Sequence, residues 1–151
     1  MKYRRNIGLG DKLAIQMTDF LNSLQWRVQA ILPVPLGKNR LKERGYNQVA
    51  LVARPLAYEA GLEYIPQALQ KTRETRSQVG LTFDQRHENV HNAYQADSQV
   101  VKGRSVLLMD DVATTGSTIS ACTKSLLSAG AQEVYVLTIA RALSHHGLNR
   151  V

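Results

Sequence analysis

Ser105-Val-Leu-Leu-Met-Asp-Asp-Val-Ala-Thr-Thr-Gly-Ser-Thr-Ile119 decides how the rest of the chain is read. Its first five residues make a short, mostly apolar run, the pattern of a strand buried on both faces. Two carboxylates, Asp110 and Asp111, end the run. Thr114, Thr115, Gly116, Ser117 and Thr118 follow, small and hydroxyl-bearing around one glycine. Ile119, Cys122, Leu126 and Leu127 then recur at helical spacing until Gly130. The order is strand, acids, small polar turn, helix. The first turn of a helix has N–H groups without partners and a partial positive charge, so it attracts phosphate. Gly116 permits a turn that a side chain would hinder, and the hydroxyls can bond phosphate oxygens. Adjacent acids are too costly to bury unpartnered. They need hydroxyl donors or a hydrated Mg2+. A phosphate site at one end and a diol site at the other describe a ribose 5-phosphate. An ordinary capped helix start would ask for neither the paired acids nor the hydroxyls. The missing Gly-Lys-Ser/Thr ending excludes a P-loop.

The surrounding composition is permissive. A chain of 151 residues is long enough for one domain, residues 1–151, with a real core. Hydrophobic residues make up 44% and charged residues 21%, the balance of a globular soluble chain. No apolar run approaches membrane-spanning length and the N-terminal residues are too polar for a signal peptide, so a cytoplasmic setting is expected. Cys122 is the single cysteine, which excludes an internal disulfide and a multi-cysteine zinc site. The formal charge of +7 suits a sugar pyrophosphate and a nucleic acid equally.

Upstream, Met1 to Arg5 reads as a basic tip. Asp11 to Leu24 carries a helical stripe of Leu13, Met17, Phe20 or Leu21, and Leu24, with Asp11 near the N-cap. Val28 to Val34 reads as a buried strand that Pro33-Val-Pro35 must stop. A basic loop follows it, Leu36 to Gln48, with Lys38, Arg40, Lys42 and Arg44 between Gly37 and Gly45. Loops after strand ends are where doubly wound sheets bind ligands, although a solvated connection has the same composition. Asn47 to Ala60 reads as a helix kinked or shifted by Pro55, and Tyr64 to Leu69 as a strand. Lys71 to Asn89 is too polar for sheet core; its first half reads as a mobile loop with Lys71, Arg73 and Arg76, its second as a helix capped from Thr82. Ala93 to Ala96 and Glu133 to Ala140 read as strands. His145-His146 cannot share one helix face, which argues against a metal pair, and Cys122 fits a small core position. The sum is an α/β plan with a mainly parallel, twisted sheet flanked by helices.

Val106 to Thr118 resembles the 5-phosphoribosyl 1-pyrophosphate (PRPP) motif of type I phosphoribosyltransferases. Other stretches narrow the resemblance to the ComF family: Lys2-Tyr-Arg4, Pro33-Val-Pro35 with Arg40 and Arg44-Gly-Tyr-Asn-Gln48, and Lys71-Thr-Arg73 with Thr75, Gln78, Gly80-Leu81, Arg86 and Asn89-Val90. Many ComF proteins carry an N-terminal four-cysteine zinc element, and this sequence starts past it. Purine salvage enzymes of the hypoxanthine–guanine kind place an Asp where Thr114 stands, so the resemblance implies no base-specific acid and gives no reason to choose a purine, and the tail after Arg141 is short for a base-enclosing hood.

The resemblance implies a type I phosphoribosyltransferase fold and Mg2+-dependent transfer of a 5-phosphoribosyl group with pyrophosphate release. Asp110 and Asp111 would hold the ribose hydroxyls, and Ala113, Thr114, Thr115, Gly116, Ser117 and Thr118 the 5-phosphate. Val34, Pro35, Leu36, Gly37, Lys38, Arg40 and Arg44 would form the pyrophosphate loop. Arg73, Arg76 and Asp111 are the candidate catalytic residues. Mg2+ would be held mainly by the substrate, with Asp110 and Asp111 reaching it through water. The alternative is a module for competence and DNA uptake that senses PRPP or a nucleotide, or associates with single-stranded DNA or competence proteins, without turnover. Its weakness is that single-strand platforms usually add stacking aromatics, and only Tyr46 stands near the basic loop. A homodimer stays open, and no membrane insertion is expected.

Overall fold

Val106, Leu107, Leu108 and Met109 are all fully buried, so the strand that carries them must be covered on both faces. The computed structural model describes residues 3–77, 79–113 and 116–141. Helix α1 (Tyr3–Ser23) leads to strand β1 (Ala30–Pro33), helix α2 (Lys38–Arg44), helix α3 (Ala50–Glu59) and strand β2 (Glu63–Tyr64). A 3-10 turn (Pro66–Ala68) follows, then β3 (Leu69–Lys71), α4 (Phe83–Val90), β4 (Tyr94–Ala96) and the short α5 (Ser98–Val101). The central strand β5 (Ser105–Ala113), helix α6 (Ser117–Ser128) and β6 (Glu133–Arg141) complete the order. The main sheet has four strands in the order β2-β1-β5-β6, all pairs parallel. Strands β3 and β4 form a separate antiparallel pair. The expected α/β plan with a mainly parallel sheet is what the chain adopts.

Side chains alternate along a strand, and the core divides accordingly. Val106 and Leu108 pack with Cys122 and Leu126 of α6 and with Leu69, Val90 and Tyr94. Leu107 and Met109 pack with Ala14 and Leu21 of α1 and with Val52, Ala53 and Leu56 of α3. The chain therefore leaves β1 toward one face of the sheet and leaves its neighbour β5 toward the other. That divergence opens a crevice at the carboxyl ends of the two strands.

Several boundaries differ from expectation for physical reasons. Helix α1 already includes Tyr3, so Arg4 and Arg5 are helical and Asp11 lies inside the helix, not at its cap. Leu21 is buried and Phe20 exposed, which settles the stripe. The basic segment after β1 folds as α2, a helix with no buried residue and hence no apolar stripe to announce it. Pro66 breaks the stretch expected as one strand into β2, the 3-10 turn and β3. Helix α3 starts at Ala50, and Pro55 stays within it. The capping box at Thr82 and Gln85 is present. Strand β5 runs through both acids to Ala113 instead of ending at them. His145 and His146 lie outside the described residues. No described helix is long and apolar enough to cross a membrane.

Leu126 is fully buried while Leu127, beside it on the same helix, is 48% exposed. Leu126→Ala is expected to cost about 3 kcal/mol and Leu127→Ala under about 1 kcal/mol. Urea unfolding of the two variants checks this, and equal costs would contradict the assigned helix face.

Candidate functional site

The crevice is built from where β1 and β5 stop. Pro33 is the last residue of β1, opposite Met109, and the Val34 N–H donates to the Met109 carbonyl at 2.7 Å. Pro35, Leu36 and Gly37 then turn the chain into α2. Asn47 braces this turn by donating its Nδ2 to the Val34 carbonyl at 2.9 Å. Beyond Met109, β5 continues against β6 alone, with Asp110 opposite Thr138 and Ala113 opposite Arg141. On the other side of the break, Gly116 caps α6 in the left-handed region, at φ 77°, a conformation that side chains disfavour.

These pieces enclose a cleft of about 260 Å3. It brings together Val34, Pro35, Leu36, Gly37, Arg40, Arg44, Arg76, Asp110, Asp111, Ala113, Gly116, Ser117 and Thr118, all expected site residues. Thr114 and Thr115 lie outside the described residues. Lys38 is exposed on α2 and is not part of the lining. Arg73 does not line the cleft either: its guanidinium donates to the carbonyls of Asn89 at 2.9 Å and His91 at 2.7 Å, at the end of α4. Arg76, three residues on, is the cation of that loop that reaches the cleft.

Lys71 and Tyr94 also line the cleft; the sequence marks Lys71 as a cation of the loop without giving it a site role, and Tyr94 not at all. They are paired residues of β3 and β4. The Lys71 ammonium stands 5.8 Å from the centre of the Tyr94 ring and donates to the Thr75 hydroxyl at 2.7 Å. Burial, then the neighbouring Arg40, lowers its pKa. Burial raises that of Tyr94, against a hydrogen bond with Thr118. Only the cross-strand pairing puts the two together, and no local sequence signal carries that.

The acids occupy an unfavourable place. Burial pushes Asp110 up to about 6; the Asp111 N–H, which donates to its carboxylate at 2.9 Å, opposes this, and the Asp111 charge adds to it. Glu74 is the one acid between Arg73 and Arg76. Its carboxylate accepts from the Asn39 N–H at 3.2 Å, and a side chain at Gly37 would collide with it. The cleft thus sets Asp110 and Asp111 against Arg40, Arg44, Lys71 and Arg76, with a helix N-terminus between. It can hold a ligand that offers hydroxyls on one side and phosphates on the other. Among the described residues no group of three or more His, Cys, Asp or Glu lies close enough to hold a metal ion. The two carboxylates are the hard oxygen donors that a hydrated Mg2+ shared with a phosphate ligand uses.

Residues 43–149 match the phosphoribosyl transferase domain family. The chain is 36% identical over 113 residues to DNA utilization protein YhgH of Escherichia coli, covering 75% of this chain and 49% of that protein. It is 35% identical over 116 residues to competence protein F of Haemophilus influenzae, covering 76% and 51%. The chain spans about half the length of the curated relatives it matches. A crystal structure of adenine phosphoribosyltransferase superposes with a TM-score of 0.59 at 16% identity, over 91% of this chain and 72% of that one. That likeness shows a shared type I phosphoribosyltransferase fold.

Because its folded-state pKa is raised, Asp110 holds its proton more tightly in the folded chain than in the unfolded one. Its ionisation therefore removes stability as pH rises from about 4 to about 6. Asp110→Asn is expected to stabilise the chain by on the order of 1 kcal/mol at pH 7 and not at all below about pH 4. Urea melts at the two pH values check this, and a destabilised variant at pH 7 would contradict it.

Proposed function

The chain belongs to the phosphoribosyl transferase domain family, in the group of competence protein F and its relatives, and from that premise we propose that it binds PRPP with Mg2+ in the cleft between β1 and β5. The observation that carries the reading is the meeting of three parts in one cleft: paired acids, the N-terminus of α6, and the turn after β1. A ribose 5-phosphate with a pyrophosphate on C1 matches all three. The unit is residues 1–151 acting as one domain, and its setting is cytoplasmic.

In the proposed reaction the bond from ribose C1 to the pyrophosphate oxygen breaks, and its electron pair leaves with pyrophosphate. A lone pair of the acceptor forms the new bond to C1. Positive charge develops on the sugar and negative charge on the leaving group, and groups aimed in advance at such charge are the strongest lever on the barrier. Asp110 and Asp111 accept from the ribose 2- and 3-hydroxyls and face the growing positive charge. Ala113 to Thr118 hold the 5-phosphate as an anchor remote from the bond that breaks. Arg76, Arg40, Arg44 and Lys71 take the leaving pyrophosphate, with the backbone from Val34 to Gly37. Asp110 and Asp111 would hold Mg2+ through water, and the ion would supply charge neutralisation at the leaving pyrophosphate. Thr75, Arg76, Ser77 and Val79 line the cleft, and the loop that carries them would keep water from the activated sugar.

A second reading keeps the PRPP or nucleotide site as a sensor and uses the basic surface for single-stranded DNA. The relatives named for competence and DNA utilization favour it, and so does α2, whose Lys38, Arg40, Lys42 and Arg44 are all exposed. Contacts to many DNA phosphates weaken steeply with salt, whereas a Mg2+-dependent ligand of one cleft does not.

Calorimetric titration separates these. Wild type is expected to bind PRPP only with Mg2+, and Asp110→Asn with Asp111→Asn to lose that binding by a factor of about 100 or more. Normal PRPP binding by the double variant would overturn the role given to the acids. Glu74 does not line the cleft, but its carboxylate lies on the backbone at Gly37 and Asn39, beside the turn proposed to take the pyrophosphate. Glu74→Gln is therefore expected to tighten PRPP binding about two- to fivefold, and unchanged or weaker binding would contradict the placement of the pyrophosphate.

A further inference from the structure

We propose that Asn89 is a positioning residue for the cleft, one that fixes Arg76 there by a two-point bond to the Arg76 backbone. The proposal rests on the reading of the cleft as a PRPP site. Arg76 lines the cleft and also an adjoining groove, which it shares with Asn89, Arg73, Leu81 and Gln85; Asn89 lines that groove and not the cleft. The Arg76 N–H donates to Asn89 Oδ1 at 3.0 Å, and Asn89 Nδ2 donates to the Arg76 carbonyl at 2.8 Å. Both polar groups of a single peptide residue are thus held by one side chain. The amide acts as a neighbouring strand would, in a segment that pairs with no strand among the described residues. It fixes the position and direction from which the arginine side chain starts.

The clamp is useful only if Asn89 is itself immobile, and helix α4 makes it so. The start of α4 is closed by the capping box of Thr82 and Gln85. Its last residue, Val90, is fully buried in the core. Carbonyls at a helix C-terminus lack partners within the helix, and Arg73 supplies them at Asn89 and His91. Arg86 donates its Nε to the Leu81 carbonyl at 3.0 Å and ties down the far end of the loop. The loop between β3 and α4 is therefore pinned to α4 at both ends and at Arg76. Arg73 belongs to this brace and not to the cleft.

The chemistry selects the residue type. A carboxamide, neutral at every working pH, sets a donor and an acceptor side by side on one planar group, which is what a peptide's C=O and N–H require. Asp keeps the acceptor for the Arg76 N–H but sets a charge against the Arg76 carbonyl. Leu keeps the shape and loses both bonds. If the clamp acts through Arg76, its value to ligand binding must vanish when the Arg76 side chain is gone. A clamp that only stabilised α4 would not behave in that way.

The test is a double-mutant cycle with Asn89→Leu and Arg76→Ala, read by titration with inorganic pyrophosphate and with PRPP, both in the presence of Mg2+. Asn89→Leu is expected to weaken binding about tenfold in wild type and to add nothing in the Arg76→Ala background. Asn89→Asp is expected to fall between wild type and Asn89→Leu, and it replaces Asn89→Leu if that variant does not fold. In the unliganded chain, hydrogen exchange at the Arg76 amide should speed up in the Asn89 variants while the Leu107 and Leu108 amides keep their protection. Equal losses in the two backgrounds, or unchanged exchange at Arg76, would overturn the clamp. A wild type that binds neither ligand overturns the reading of the cleft and the proposal with it. A wild type that binds, with losses that simply add, overturns the proposal alone.

Discussion

Strand β5 is longer than its neighbour β1, and the site depends on that mismatch. The two pair from Ala30 and Val106 to Pro33 and Met109, where a proline ends β1. Beyond that point β5 is held by β6 alone through Ala113. One edge of Asp110 to Ala113 therefore faces the space that β1 vacates. The chain leaves β1 toward α3 on one face and leaves β5 toward α6 on the other, so nothing in the sheet refills the space. An open sheet whose connections diverge at adjacent strands leaves a crevice at their carboxyl ends. Proline 33 is thus as much a part of the cleft as the side chains that line it.

The contents of the crevice work against stability. Asp110 is held in a place that raises its pKa to about 6, and burial lowers the pKa of Lys71 across the cleft. Both shifts say that the charged forms are poorly solvated there. A core chosen for stability alone would fill the space with apolar side chains. The charges persist where a ligand of opposite pattern can satisfy them, hydroxyls against the acids and phosphates against the cations. Glu74 shows the same pattern inside the chain, since its carboxylate settles on the backbone at Gly37 and Asn39. The brace formed by Asn89, Arg73 and Arg86 adds a geometric element, holding a loop of polar residues without a core of its own.

What the sequence reveals is what is encoded locally. The apolar run of β5, the acids, the Gly116 turn and the stop at Gly130 lie in one continuous stretch, and each is governed by its neighbours. The capping box at Thr82 and Gln85 is equally local and equally legible. Helix α2 is hidden because it buries nothing, so its residues carry no periodicity. The meeting of Lys71 with Tyr94 is not legible because it depends on the pairing of β3 with β4, which are separated by the whole of α4. Arg73 and Arg76 are indistinguishable by type and context, and only the path of the loop sends one to the end of α4 and the other to the cleft. The two acids read as the end of a strand because carboxylates usually mark one, whereas pairing with β6 carries the strand past them.

The most direct test of the account is a crystal structure of the chain with PRPP and Mg2+. The account predicts the 5-phosphate against the N–H groups at Gly116 to Thr118, the ribose hydroxyls on Asp110 and Asp111, and the pyrophosphate between the turn at Val34 to Gly37 and Arg76. Ligand bound along the outer face of α2, with the cleft between β1 and β5 empty, would contradict it.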